Sequence, residues 1–319
     1  MDGETVRTGA PSETAWRLRE CRYVDIAAGI RFTPRFTQFV AWPVRDVDEN
    51  GILRGIPETT GDLPTSGQPM QTLTPSSIAP PRPTRLLLVA AVLVLSYQLP
   101  QALGNPFLLL LFPPLAWWGS RWLGFDGMRA WYLDAQPGWL RLLALGLVLA
   151  IMAKLATLTV GTYAGVYTFA WVDLQPGTAL LGTLAFLAFS TFIASTAEDI
   201  LTRGLVLRAF PQLGQHWMFV VVSAGLYVLN HIYRLHEGPV EWFRLFCFGL
   251  AYAAALYRTR TLWAAVGLHW GWNLANGLLD AFARTDVAQP ALAPFYSSTA
   301  HLVLLACAVI VMRPARMRS

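Results

Sequence analysis

The sequence predicts an all-α membrane protein: a polytopic helix bundle of about eight transmembrane helices behind a poorly structured polar N-terminal region. Three observations carry that expectation. Hydrophobic residues make up 55% of the 319 and charged residues only 13%, a balance that belongs to membrane proteins rather than to soluble enzymes. From Arg85 onward the chain is a series of apolar runs. Finally, the arginines cluster beside those runs, where they read as topology signals.

Residues 1–84 form a polar, Pro/Thr-rich region outside the bilayer. Pro, Thr, Ser and Gly concentrate between Ile56 and Thr84, so residues 57–84 read as a linker. Between Tyr23 and Val44 there is enough Phe, Ile, Val and Trp to pack on a surface, but Pro34 and Pro43 interrupt any long helix. No apolar stretch follows a basic start, so a secretory signal peptide is not expected.

The transmembrane domain is expected over 85–312, with apolar runs at 86–103, 106–120, 142–162, 178–203, 217–232, 242–257, 262–281 and 298–312. Several are shorter than the ~20 residues that cross a ~30 Å hydrocarbon core. Residues 86–120 contain Pro100, Pro106, Pro113 and Pro114 and are open to two readings, two helices or one broken hairpin. With eight spans most arginines, from Arg82 to those of the basic tail at 313–319, fall on one side, and both termini are then cytoplasmic. Arg234, Arg244 and Arg284 fall on the other. Lys154, the only lysine, lies within a span and must snorkel or face the interior. The Arg-rich, Lys-poor composition points to a bacterial inner membrane.

A net charge of +5 reads as topology rather than as a phosphate-binding patch, so no nucleic-acid partner is expected; the partner is the lipid bilayer. Cys21, Cys247 and Cys307 are too widely spaced for a disulfide framework or a metal cluster.

The chain is organised around Ala197–Gly204, which reads Ala-Glu-Asp-Ile-Leu-Thr-Arg-Gly at the end of an apolar run. On a helix Asp199 and Arg203 stand at i and i+4, where they can pair and offset each other's burial. Glu198 is then left over, turned about 100° away, as a buried general base would be presented. A charge in hydrocarbon costs at least about 2.5 kcal/mol, so a second acid with a purely structural role would be wasteful. Two later runs supply partners. Tyr227 and His231 lie one turn apart, and His269 and Asn273 stand at i and i+4 on one helical face. His216, His236 and His301 read as interfacial. Ser190, Thr191, Ser195 and Thr196 read as bonding to their own helix backbone.

The order Glu-Asp-x-x-x-Arg (198–203), aromatic-x-x-x-His (227–231) and His-x-x-x-Asn (269–273) resembles the three signatures of the CPBP family (Abi family), the intramembrane endopeptidases that include the CAAX prenyl endopeptidase. Phe248-Gly-Leu-Ala-Tyr and Tyr257-Arg-Thr-Arg-Thr-Leu-Trp resemble the helix and short basic turn before the third signature, so the likeness covers about 177–281. The family usually has a second glutamate where this chain has Asp199, and phenylalanine where it has Tyr227.

The resemblance implies hydrolysis of a peptide bond by water. Glu198 would take the water's proton, His231 would help hold the water, and His269 and Asn273 would donate to the oxyanion, with Asp199, Arg203 and Tyr227 in support and no cofactor. The substrate would be a membrane-embedded or lipidated peptide or protein. Two alternatives stand beside it. In one, Glu198, His231 and His269 bind zinc in a metalloprotease. In the other, the chain is a non-catalytic immunity or scaffold protein of the membrane. Helix rise favours a meeting of the groups: His269 and Asn273 lie about 14 and 20 Å from the inner boundary and Glu198 about 18 Å, with His231 deeper at about 24 Å.

Overall fold

The computed structural model describes residues 82–172 and 178–312. Almost all of the polar N-terminal region and the basic tail lie outside the described residues. Helix α1 (Pro83–Ala102) opens with proline at its first turn, where the missing N–H costs nothing. A 3₁₀ turn (Pro106–Leu111) then leads into α2 (Phe112–Trp122). At 11 residues α2 is about 17 Å long and too short to cross the core, so the broken-hairpin reading of 86–120 fits this stretch.

Helix α3 (Trp139–Tyr163) is followed by strand β1 (Tyr167–Trp171). A long rod comes next: α4 (Thr178–Asp199), a π turn (Ile200–Gly204) and α5 (Leu205–Ala209). The remaining elements are α6 (Met218–Asn230), α7 (Pro239–Thr259), α8 (Leu262–Phe282), strand β2 (Ala283–Val287) and α9 (Ala293–Ile310).

Each of the eight expected runs coincides with a helical element, but among the described residues only five helices are long and apolar enough to span. These are α1, α3, the rod at Leu180–Ala209, α7 and α9. Helix α6 is apolar but only 13 residues long. Helix α8 has 21 residues, but its apolar run is broken by His269, Trp270, Trp272, Asn273 and Asn276.

Apolar length does not separate lipid-facing from interior helices here. In α7, 61% of the spanning window is buried by the rest of the protein, against 11% in α3 and in the α4–α5 rod. Helix α7 packs on α6, α8 and α9, while α8 packs on α3 and α4 as well. Tyr252, Leu256, Leu262 and Leu268, all fully buried, mark the centre of the bundle.

The α3–α8 seam is a backbone contact. A Cβ on Gly267 would collide with the Leu143 carbonyl oxygen, and one on Gly271 with that of Leu147. Across the seam, a Cβ on Gly146 would lie 2.7 Å from the Leu268 nitrogen and 2.8 Å from the Ala264 oxygen. Gly267-x-x-x-Gly271 is thus a small-x-x-x-small stripe that lets two backbones touch where lipid offers no hydrophobic drive for association.

The two strands were not foreseen. They pair antiparallel from Tyr167 opposite Val287 to Trp171 opposite Ala283. This ladder satisfies the backbone of the segments leaving α3 and α8, which would otherwise carry unpaired polar groups at a membrane boundary. Arg234 and Arg244 both pair with Glu241 at 2.7–2.8 Å. Lys154 faces inward, its ammonium 5.0 Å from the centre of the Trp272 ring.

Candidate active site

Glu198 and Asp199 are the last residues of α4 before the π turn. The wider turn disrupts regular backbone pairing, and two hydroxyls repair it: Thr202 donates to the Glu198 carbonyl at 2.7 Å, and Ser223 of α6 donates to the Thr202 carbonyl at 2.8 Å. Both acids sit inside the bundle, Asp199 and Arg203 without any exposure.

Asp199 and Arg203 pair at i and i+4, as the spacing predicts. The guanidinium also donates to the Thr202 hydroxyl at 2.8 Å and lies 4.9 and 5.1 Å from the ring centres of Tyr227 and Tyr252. Two aromatic faces thus take the place of water around a fully buried cation. Asp199 has a second partner that spacing along one helix could not reveal. Its Oδ1 lies 3.0 Å from Nδ1 of His269 on α8. A carboxylate can only accept, so Nδ1 carries the hydrogen and Nε2 is turned the other way.

His231 is not on the helix that spacing assigned to it. Helix α6 ends at Asn230, and the His231 N–H turns back to the Val228 carbonyl at 3.1 Å. That leaves the Tyr227 carbonyl without its usual helical donor. Nδ1 of His231 fills the gap at 2.8 Å, the way a C-terminal histidine closes a helix end. The ring is then fixed with Nε2 pointing at Glu198.

Nε2 of His231 and Nε2 of His269 each lie 3.7 Å from Oε2 of Glu198. The other carboxylate oxygen, Oε1, accepts from the hydroxyl of Tyr97 on α1. Oε2 accepts no hydrogen bond from the protein. One free carboxylate oxygen therefore faces two imidazole nitrogens whose far sides are already committed. The Tyr227 hydroxyl completes the wall, 3.4 Å from Nε2 of His269.

Asn273, one turn beyond His269, donates to the Ser195 hydroxyl at 3.1 Å. Ser195 stands three residues before Glu198 on α4, so the amide lies on the same α4–α8 seam, one turn along. Ser190 and Thr191 do bond to their own helix, but Ser195 serves the amide. His216 and His236 are exposed, whereas His301 is fully buried, contrary to its interfacial reading. Among the described residues no group of three or more His, Cys, Asp or Glu is arranged to hold a metal ion. Tyr97 went unread because a lone tyrosine in an apolar run has no spacing to betray it.

Residues 180–275 match the family model described as type II CAAX prenyl endopeptidase Rce1-like. They form a domain of that family. The Rce1-like segment runs from α4 to the middle of α8 and contains Glu198, His231, His269 and Asn273. Tyr97 on α1 lies outside it. No curated protein and no solved structure matches the chain. The protein is thus a multi-pass membrane protein carrying an Rce1-like domain, with its polar cluster enclosed among helices that sit in the bilayer.

Proposed function

We propose that the chain is an intramembrane endopeptidase that hydrolyses a peptide bond with water activated by Glu198. The observation that supports this reading best is the approach of two imidazole Nε2 atoms to the one free oxygen of the Glu198 carboxylate, each at 3.7 Å. In the neutral His231 ring, Nδ1 holds the hydrogen and Nε2 is an acceptor. A water could then give one hydrogen to Glu198 Oε2 and the other to His231 Nε2, leaving its lone pair aimed at the scissile carbonyl. Glu198 takes the proton as the carbon–oxygen bond forms and returns it to the leaving nitrogen as the carbon–nitrogen bond breaks.

The oxyanion would be met by His269 and Asn273. With Nδ1 donating to Asp199, His269 donates from Nε2 to the oxyanion as the imidazolium. Asn273 spends one N–H on Ser195 and keeps the other for the oxyanion. The substrate is a membrane-embedded or lipidated peptide, reached in an inner membrane with both chain termini cytoplasmic.

Purified protein and a library of quenched-fluorescence peptides test the assignment. Glu198→Gln should lower turnover by about 10²–10⁴, and Asn273→Ala by about 10²–10³, both in folded protein. Activity should survive chelation. Reversible loss on chelation with restoration by zinc would replace this mechanism with the metalloprotease one. If Glu198→Gln and His231→Ala reproduce wild type in every phenotype of a deletion strain, the chain acts as a membrane partner.

A further inference from the structure

The wall behind His269 is completed by α9, which lies beyond the family segment. His301 on α9 is fully buried. Its Nδ1 lies 2.9 Å from the Ser297 carbonyl oxygen, one turn earlier, so Nδ1 carries the hydrogen. In the neutral ring Nε2 is then an acceptor, and the Tyr252 hydroxyl meets it at 2.9 Å. The His301 ring has no freedom to turn: Phe248 stacks on it at 3.4 Å between centroids, and Trp272 meets it edge-on at 4.3 Å.

Tyr252, pinned at its hydroxyl, lays its ring almost flat on His269, with centroids 4.7 Å apart and planes 18° from parallel. His269 is therefore held at Nδ1 by Asp199, met at Nε2 by the Tyr227 hydroxyl and covered across its face by Tyr252. The partners at Nδ1 and Nε2 hold the ring by its edge, the second of them at 3.4 Å; the flat contact braces its face and so its plane. The charged and titratable groups around His301 are Lys154 on α3, Arg244 on α7 and His269 on α8.

We propose that His301 is a positioning residue for His269. It acts through the Tyr252 hydroxyl and makes α9 part of the apparatus of hydrolysis. The proposal rests on the role given to His269 above. A buried histidine that merely tied α9 to α7 would also hydrogen-bond across helices, but it would leave the plane of His269 alone.

Full-length protein in lipid nanodiscs separates the two. His301→Phe and Tyr252→Phe should each lower kcat about tenfold, the scale of one hydrogen bond, with KM unchanged, on a peptide that wild type cleaves from the quenched-fluorescence library. The double variant should be no worse than either single one, and His301→Gln, which restores an acceptor, should recover most of the loss. Wild-type kcat per folded molecule in Tyr252→Phe, or losses that multiply in the double variant, would overturn the proposal. A second arm needs no turnover: in ¹⁵N-histidine spectra the Nδ1–H resonance of His269 should move in Tyr252→Phe, and an unmoved resonance refutes the coupling. Glu198→Gln measured alongside keeps the outcomes distinct. Retained turnover there defeats the hydrolytic mechanism, while the spectra still decide whether His301 sets His269.

Discussion

Helix α8 presents two seams of opposite character. Towards α3 it offers Gly267 and Gly271, and backbone lies on backbone. Towards α4 it offers His269 and Asn273, and there polar side chains reach acceptors on α4. The two pairs interleave, each at i and i+4 and offset by two residues, which on a helix is about 200° and hence the opposite face. Backbone contact tolerates no sliding, because a shift of one residue would drive a side chain into a carbonyl. The dry seam thus sets the height and rotation of α8, and the polar seam inherits its geometry.

Substitutions can break that division of labour. Gly267→Leu should have the largest effect. Its side chain would enter the Leu143 carbonyl, an overpacking that costs about 1–3 kcal/mol or more, and little monodisperse protein should be recovered by size-exclusion chromatography. A Gly267→Leu protein that folds and works would end the claim that the dry seam sets the polar one. Asp199→Asn comes next and should act on both sides of the division. It removes the charge partner of a wholly buried Arg203, a loss of about 3–5 kcal/mol for such pairs, and weakens the anchor of His269. Both yield and turnover per folded molecule should fall, whereas a change in yield alone would return Asp199 to a purely supporting place. The smallest effect belongs to Tyr97→Phe, which removes one donor from Glu198. Turnover should drop about tenfold with thermal stability nearly unchanged, and an equal loss in a Glu198→Gln background would show that Tyr97 acts elsewhere.

What could be read from the sequence follows the same line. Asp199 with Arg203, and His269 with Asn273, are partners or neighbours within a single helix, where spacing alone puts them on one face. The meeting of Glu198 with His231 and His269 was reachable through depth, since helix rise brought Glu198 level with His269 and Asn273. The greater depth of His231 comes from counting its helix from near Gln215, whereas α6 begins only at Met218. Tyr97 lies 101 residues from Glu198 and His301 lies 49 from Tyr252. Each belongs to a run with no polar periodicity, so only packing reveals them. The Gly267–Gly271 stripe was legible in principle, but it is written into the same five residues as His269. The strand pair escaped because five-residue segments at helix ends carry no alternation strong enough to oppose a helical reading.

The burial of α7 also bears on how the protein is made. It is the least apolar of the five spanning helices and the one most enclosed by its neighbours. A segment leaving the insertion machinery before α8 and α9 exist would have to present to lipid Tyr252, which is buried in the finished bundle with its hydroxyl against His301 of α9. Leaving a polar group unsatisfied in lipid costs several kcal/mol. Stable residence of α7 in the membrane must therefore wait for the helices that follow it. In chains released after Thr259, cysteines introduced along α7 should stay open to water-soluble thiol reagents, and become protected once α9 has been synthesised.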